Sequence, residues 1–302
     1  MQILVIGGSS LLGERIVQSS VRHGEPWYTV ATKEVEIQNA KKIQMDITDQ
    51  ESVVEGFKKA RPDIAVLVAA YTEVDACEKN REKAIAVNVR GAENVFTACQ
   101  HFGTKLVYIS TDAIFDGKKE VPYTEEDAPN PPNFYAHTKL EAEKIVLRER
   151  QNLVCRVSTI YGKRAPHHRQ NVIMWMIETL KAGKRIELFE DRFCNPTFAD
   201  EAADVILSIA LKGGSGVFHT TGRDCVSRVE LGRKIAEIFG FDEKLIVPVR
   251  SRDYQNVPRG LHSCLSVAKA ERFIGRKIQS LEESLKILKG QIMPQSPFRL
   301  PR

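Results

Sequence analysis

Short apolar, β-branched runs recur along the chain and alternate with longer stretches in which apolar positions return every three or four residues. The runs predict strands near 2–6, 27–32, 42–45, 64–69, 105–109 and 153–157. The periodic stretches predict helices near 12–22, 50–60, 81–101 and 135–149, between most of those strands. Such alternation builds βαβ units, and hence an α/β fold with a doubly wound parallel sheet whose ligands lie beyond the carboxyl ends of the strands. The loops after Ile6, Thr32, Ala69, Ile109 and Val157 are where chemistry is expected.

Beyond Tyr161 the rhythm loosens into a basic loop, "GKRAPHHRQN", and then into mixed helices and short strands broken near Pro166, Pro196, Pro248 and Pro258. "PTFADEAADVILSIAL" predicts a helix starting near Ala199 and "GVFHTTG" a further strand, so the chain is expected to return to the sheet. The division that follows joins 1–161 and 199–222 in a dinucleotide-binding domain, and 162–198 and 223–290 in a smaller mixed α/β substrate-binding lobe. Residues 291–302 read as a proline-rich tail.

With 302 residues, 42% hydrophobic and 27% charged, the chain can bury a substantial core. Its longest apolar runs, such as "IAVLVAA", are too short to cross a bilayer, and Met1 leads straight into the first strand. A cytoplasmic protein without a membrane partner is expected. The net charge of +5 is spread along the chain, which argues against nucleic acid and suits an anionic small molecule. Six cysteines, at 77, 99, 155, 194, 225 and 264, stand at wide spacings that read as reduced, buried thiols. None of the spacings is that of a zinc site, and no metal is expected.

Between the first strand and helix lies "ILVIGGSSLLGERIV". In a dinucleotide-binding (Rossmann) loop the outer glycines allow a tight turn and close helix packing, and the middle one admits the pyrophosphate. Gly7 and Gly13 hold the outer places, with Ser9, Ser10, Leu11 and Leu12 between them. Ser10 stands at the middle place, where its hydroxyl offers a hydrogen bond to phosphate while the helix N-terminus still attracts the anion. About twenty residues on, where NAD sites carry a carboxylate, the second strand ends "VATKE". Thr32 and Lys33 suit a 2′-phosphate and favour NADP(H), while Glu34 keeps NAD(H) open.

"NFYAHTKLEAEKIV" follows Pro131 and Pro132 and has strongly helical composition. Its Tyr135 and Lys139 are four apart and share a face. A phenol, with an ordinary pKa of about 10, is expected to become more acidic beside an ammonium and so to serve as a general acid. Upstream, "YISTDAIFDG" ends a buried strand at Ser110, Thr111 and Asp112, where a hydroxyl can bond a substrate carbonyl.

Together these residues resemble the extended short-chain dehydrogenase/reductase superfamily, and within it the sugar-nucleotide reductases typified by dTDP-4-dehydrorhamnose reductase. The resemblance runs from residue 2 to about 288 and includes "MDIT", "AAYTEVDACE", "AIAVNVRGAENV", "RVSTIYG", "NPTFADEAADV" and "PRGLHSCLSVAKAERFIG". It implies an NADP(H)-dependent reductase of a nucleotide-linked 4-keto sugar in deoxysugar (rhamnose) biosynthesis. The catalytic residues would be Thr111, Tyr135 and Lys139. Asp46 and Ile47 would lie by the adenine, and Ala69, Ala70 and Tyr71 beside the rest of the cofactor. By the same resemblance Asp112 would hold sugar hydroxyls, Arg259 would take phosphate, and Thr159 would stand where such reductases carry a bulky aromatic. A homodimer is compatible with it.

Arg164, His167, His168 and Arg169 crowd the basic loop, as a diphosphate would need, and Asn171 follows them. The histidine pair has no carboxylate or cysteine at ligand spacing. Two other classes stay open. One is a sugar-nucleotide epimerase or dehydratase retaining its nicotinamide, although Ala113 after Asp112 disfavours a dehydratase. The other is an NADP-binding regulatory subunit like the β subunit of methionine adenosyltransferase.

Overall fold

A computed structural model describes residues 1–31, 35–251 and 257–293. Thr32, Lys33, Glu34 and the tail beyond Met293 lie outside the described residues. The first half runs β1 (Ile3–Ile6), α1 (Leu11–Ser20), β2 (Trp27–Val30), β3 (Lys41–Gln44), α2 (Gln50–Ala60) and β4 (Ile64–Leu67). It continues through α3 (Val74–Lys79), α4 (Arg81–Ala84), α5 (Gly91–Phe102), β5 (Lys105–Thr111), α6 (Phe134–Val146) and β6 (Leu153–Val157). Then come β7 (Ile160–Tyr161), α7 (Val172–Lys181), β8 (Ile186–Phe189), β9 (Phe193–Cys194), β10 (Thr197–Phe198), α8 (Ala199–Leu211) and β11 (Gly216–His219). The chain closes with β12 (Val226–Ser227), α9 (Arg228–Phe239), β13 (Ile246–Val249), α10 (Ala268–Ile274) and α11 (Leu281–Ile292).

Seven strands form one sheet in the order β11-β6-β5-β4-β1-β2-β3. Its pairings are parallel throughout. Alternate residues of each strand feed opposite faces. Ile3 and Val5 join a core with α1, α8 and α10, whereas Leu4 and Ile6 join one with α2, α5 and α6. Burial on both faces is why these strands read as unbroken apolar runs. A third core gathers Tyr161 and residues of α7, β8, α9 and α11. Among the described residues no helix is long and apolar enough to cross a membrane.

Two expectations change. The single helix near 81–101 is α4 and α5 joined by a π-helical turn over Ile85–Arg90. The extra residue in that turn aims the buried Asn88 at the Tyr71 main chain and at Thr138 of α6. The cysteines are not all reduced: Cys225 and Cys264, 39 residues apart in sequence, form a disulfide across Cα atoms 5.6 Å apart. Folding brings the end of one lobe strand beside a distant loop, a proximity that spacing cannot show. Cys77, Cys99, Cys155 and Cys194 are free and buried. Thiol titration of the unfolded, unreduced protein is expected to find four free thiols of the six cysteines, and all six after reduction.

Candidate active site

The chain leaves β1 and β4 toward opposite sides of the sheet, so the crevice between the loops that follow them is its topological switch point. Gly7 sits there with φ +94°, and a Cβ on it would come within 2.7 Å of the Ala69 nitrogen. Only glycine lets the two loops meet so closely. At Gly13 a Cβ would lie 2.2 Å from the Gly7 carbonyl oxygen, so the start of α1 packs directly on the turn.

Ser10 caps α1: its Oγ accepts from the Gly13 N–H at 3.1 Å and donates to the Gly7 oxygen at 2.9 Å. The hydroxyl expected to face phosphate is thus engaged inside the loop, and it is the helix N-terminus that offers free N–H groups. A cavity of about 1110 Å³ extends from this loop along the strand ends. Gly7, Ser9, Ser10, Leu11 and Leu12 line one end, Asp46, Ile47, Ala69 and Ala70 the side, and Tyr135 and Lys139 the other end. Tyr71 does not line it. Its main chain is tied by Asn88 at 2.7 and 3.0 Å, and its ring packs on Cys77 and Ala84 instead.

The glycine cradle and the buried Ser110 Oγ, which has no partner among the described residues and belongs to a residue of the cavity wall, fit a dinucleotide. The start of α1 would hold its phosphates, and Tyr135 and Lys139 line the same cavity.

At that end the cavity meets a second one of about 530 Å³; Thr72, Thr111, Tyr135, Thr159 and Arg228 line both. Asn133 caps α6 through the Ala136 N–H at 3.0 Å, which fixes where the helix begins and so where Tyr135 points. Tyr135 is buried and bonded to Thr111. Burial pushes its phenol above the usual range, with the Asp112 carboxylate adding to the rise and the Thr111 bond opposing it. The acidification expected from Lys139 is therefore absent in the protein alone. The reason lies in Lys139 itself: its Nζ donates to the Ile109 oxygen at 2.7 Å and stands 4.1 Å over the Tyr108 ring, and burial lowers its pKa to about 7, opposed by Glu143.

An ammonium penalised by burial destabilises the folded protein at low pH, and that penalty fades between a folded pKa of about 7 and the ordinary lysine value. The cofactor-free protein is therefore expected to gain stability from pH 7 to pH 9. Thermal unfolding checks this, and Lys139→Met should flatten the rise.

The smaller cavity is cationic. Arg192, Arg228 and Arg259 line it, and burial together with the other two guanidiniums lowers the Arg192 pKa to about 10. Arg228 donates to the Thr159 Oγ1 at 3.2 Å while its Nη1 is buried without a partner. Thr159 holds a left-handed φ of +30°, a strained conformation for threonine that turns its hydroxyl to this arginine. Arg259 pairs with Asp75 of α3 at 2.5 Å, and Arg169 with Glu73 at 2.5 Å, across the cavity mouth. Arg192 and Arg228 do not stand out in the sequence, because each is one isolated cation in a loop or helix start.

The basic loop does not converge on one point. Arg164 approaches Glu178, and Asn171 caps α7 through the Met174 N–H. His167 and His168 do meet a carboxylate, Glu14 of α1, at 3.3 and 3.0 Å, contrary to what their sequence neighbours suggest. The Ala165 N–H donates to the His168 Nδ1 at 3.0 Å, so Nε2 carries the proton and faces Glu14, whose pKa His168 lowers. Glu14, His167 and His168 thus bring one ligand atom each within 4.8 Å of one another beside the start of α1, a group that could hold a metal ion.

The family model for the RmlD substrate binding domain matches residues 1–291. A probable low-salt glycan biosynthesis reductase of Haloferax volcanii is 32% identical over 293 residues, covering 96% of this chain and 98% of its own. The crystal structure of dTDP-4-dehydrorhamnose reductase from Bacillus anthracis in complex with NADP superposes with a TM-score of 0.83 at 26% identity, covering 96% of this chain and 99% of that one. The β subunit of mouse methionine adenosyltransferase 2 is 27% identical over 278 residues, covering 89% of this chain and 81% of its own. With a parallel seven-stranded sheet, a glycine cradle at its switch point and a Tyr135–Lys139 helix beside the Thr111 strand end, the chain belongs to the RmlD substrate-binding-domain family of extended short-chain dehydrogenase/reductases.

Proposed function

We propose that the protein reduces the 4-keto group of a nucleotide-linked sugar with NADPH, dTDP-4-dehydrorhamnose being the first substrate to test. The observation that carries this reading is the junction at Thr111 and Tyr135, shared by a dinucleotide crevice and a cavity walled by three arginines. The arginines suit a diphosphate. The cofactor, when bound, supplies the hydride. Tyr135, a neutral phenol at physiological pH, gives its proton to the oxygen of the reacting carbonyl, and Thr111 holds that oxygen and the phenol in line. Lys139, which lines the same cavity, would hold the ribose. On this reading residues 1–161 with 199–222 serve the cofactor and 162–198 with 223–290 the sugar, in a cytoplasmic enzyme.

Mixing the protein with NADPH or NADH and a panel of 4-keto nucleotide sugars tests it. Faster loss of nicotinamide absorbance with NADPH and a dTDP-linked substrate is expected, and no turnover with any member would overturn the reading. Stoichiometric NAD retained through purification would indicate an epimerase instead. A regulatory role like that of the β-subunit relative needs none of the Thr111–Tyr135 geometry, and this is why the reductase stands first.

A further inference from the structure

The smaller cavity contains a carboxylate that the reaction above does not use directly. Asp112 follows the catalytic strand end, and three hydroxyls from three parts of the chain bind it. Its Oδ2 accepts from the Ser158 Oγ and the Ser263 Oγ, each at 2.7 Å, and its Oδ1 accepts from the Thr111 Oγ1 at 3.1 Å. A carboxylate offers roughly four acceptor sites, so the chain itself fills most of them, and little remains for the sugar hydroxyls that the resemblance assigns to it.

The bonds at Thr111 tie it to Asp112 and to the turn that follows. A hydroxyl has one hydrogen, and Thr111 gives its own to Asp112 while accepting the Ala113 N–H at 3.2 Å. We propose that Asp112, pinned by Ser158 and Ser263, is a positioning residue that holds the Thr111 hydroxyl in place at the junction of the two cavities, where Tyr135 also stands. This rests on the reductase reading for its kinetic consequence only.

Ser263 is the informative member because it arrives from the last part of the chain. Its loop is held independently: its own N–H donates to the Phe193 oxygen at 3.3 Å, the His262 N–H to the Gly117 oxygen at 3.1 Å, and the Leu265 N–H to the Asn195 Oδ1 at 2.6 Å. Removing the Ser263 hydroxyl therefore frees its bond to Asp112, and a long contact of 3.4 Å with the Phe193 oxygen, without releasing the loop.

Ser263→Ala is expected to lower kcat about tenfold, the effect of losing one charge-assisted hydrogen bond. The KM for NADPH should stay unchanged, and Ser263→Thr should restore the rate. Ser158→Ala, which removes the other donor to the same oxygen, should act alike. Amide hydrogen exchange at Ala113, whose N–H rests on the Thr111 hydroxyl, should quicken in both alanine variants. Unchanged kcat in both, or a loss confined to the KM for the sugar, would overturn the proposal in favour of a plain substrate contact. If the wild type turns over no keto sugar, the reductase reading falls by itself. Exchange at Ala113 then decides alone: faster sustains the positioning role, unchanged removes it.

Discussion

Tyr135→Phe is expected to lower kcat by about a hundredfold to ten-thousandfold, the usual worth of a positioned general acid, while leaving the KM for NADPH and the melting temperature near their wild-type values. The separation of effects follows from the site. The phenol oxygen is bonded to Thr111, and the ring packs with Cys77 and Ala84, so phenylalanine keeps the packing and loses only the proton. Because burial raises this phenol instead of lowering it, the acid form is present across the pH range in which the protein is folded. Reduction, which consumes that proton, should therefore show no loss of rate on the alkaline side attributable to Tyr135 below pH 9. Steady-state kinetics with the best substrate of the panel, with fluorescence titration of NADPH binding, measures both quantities. A variant that retains wild-type kcat would exclude Tyr135 as the acid.

The strands of the sheet are readable from sequence because both of its faces are buried, and Ile3–Ile6 or Ile64–Leu67 has no polar position to interrupt the run. The Gly7–Gly13 turn and the Tyr135–Lys139 spacing are readable too, since each is a local requirement of backbone or helix geometry. What escapes is whatever depends on distant approach. The Cys225–Cys264 bond, the approach of His168 to Glu14 and the meeting of Ser263 with Asp112 each join residues from separate segments, and no periodicity records them. The two-residue strands β7, β9, β10 and β12 are too short for any alternation to show. The acidity of Tyr135 escapes for a different reason: spacing places Lys139 on the same face, but only the structure shows that Ile109 and Tyr108 hold its ammonium and that burial raises the phenol.

The helix that carries this chemistry is anchored by one buried ion pair, and breaking it should produce the largest loss of stability. Glu143 lies two turns beyond Tyr135 and one beyond Lys139, and it receives Arg156 of β6 in a two-point contact at 3.1 and 2.8 Å. The side chains are 2% and 5% exposed. The arginine also approaches the His219 Nε2 of β11 at 3.3 Å and lies over the Phe115 ring. Burial and the adjacent Arg156 lower the His219 pKa to about 3, so the imidazole stays neutral and cannot replace the missing anion. Glu143→Ala therefore leaves a guanidinium charged, dry and unpaired, and is expected to cost about 3–5 kcal/mol in urea unfolding. Replacing Glu143 and Arg156 together with leucine and methionine should cost much less, because the desolvation of both ions disappears with them. Equal losses in the single and double variants would mean that helix packing, not the ion pair, sets the stability here. The double variant also bears on the site. Glu143 is the group that opposes the fall in the Lys139 pKa, so a folded protein without it should hold that ammonium less well and bind cofactor more weakly as the pH rises past 7.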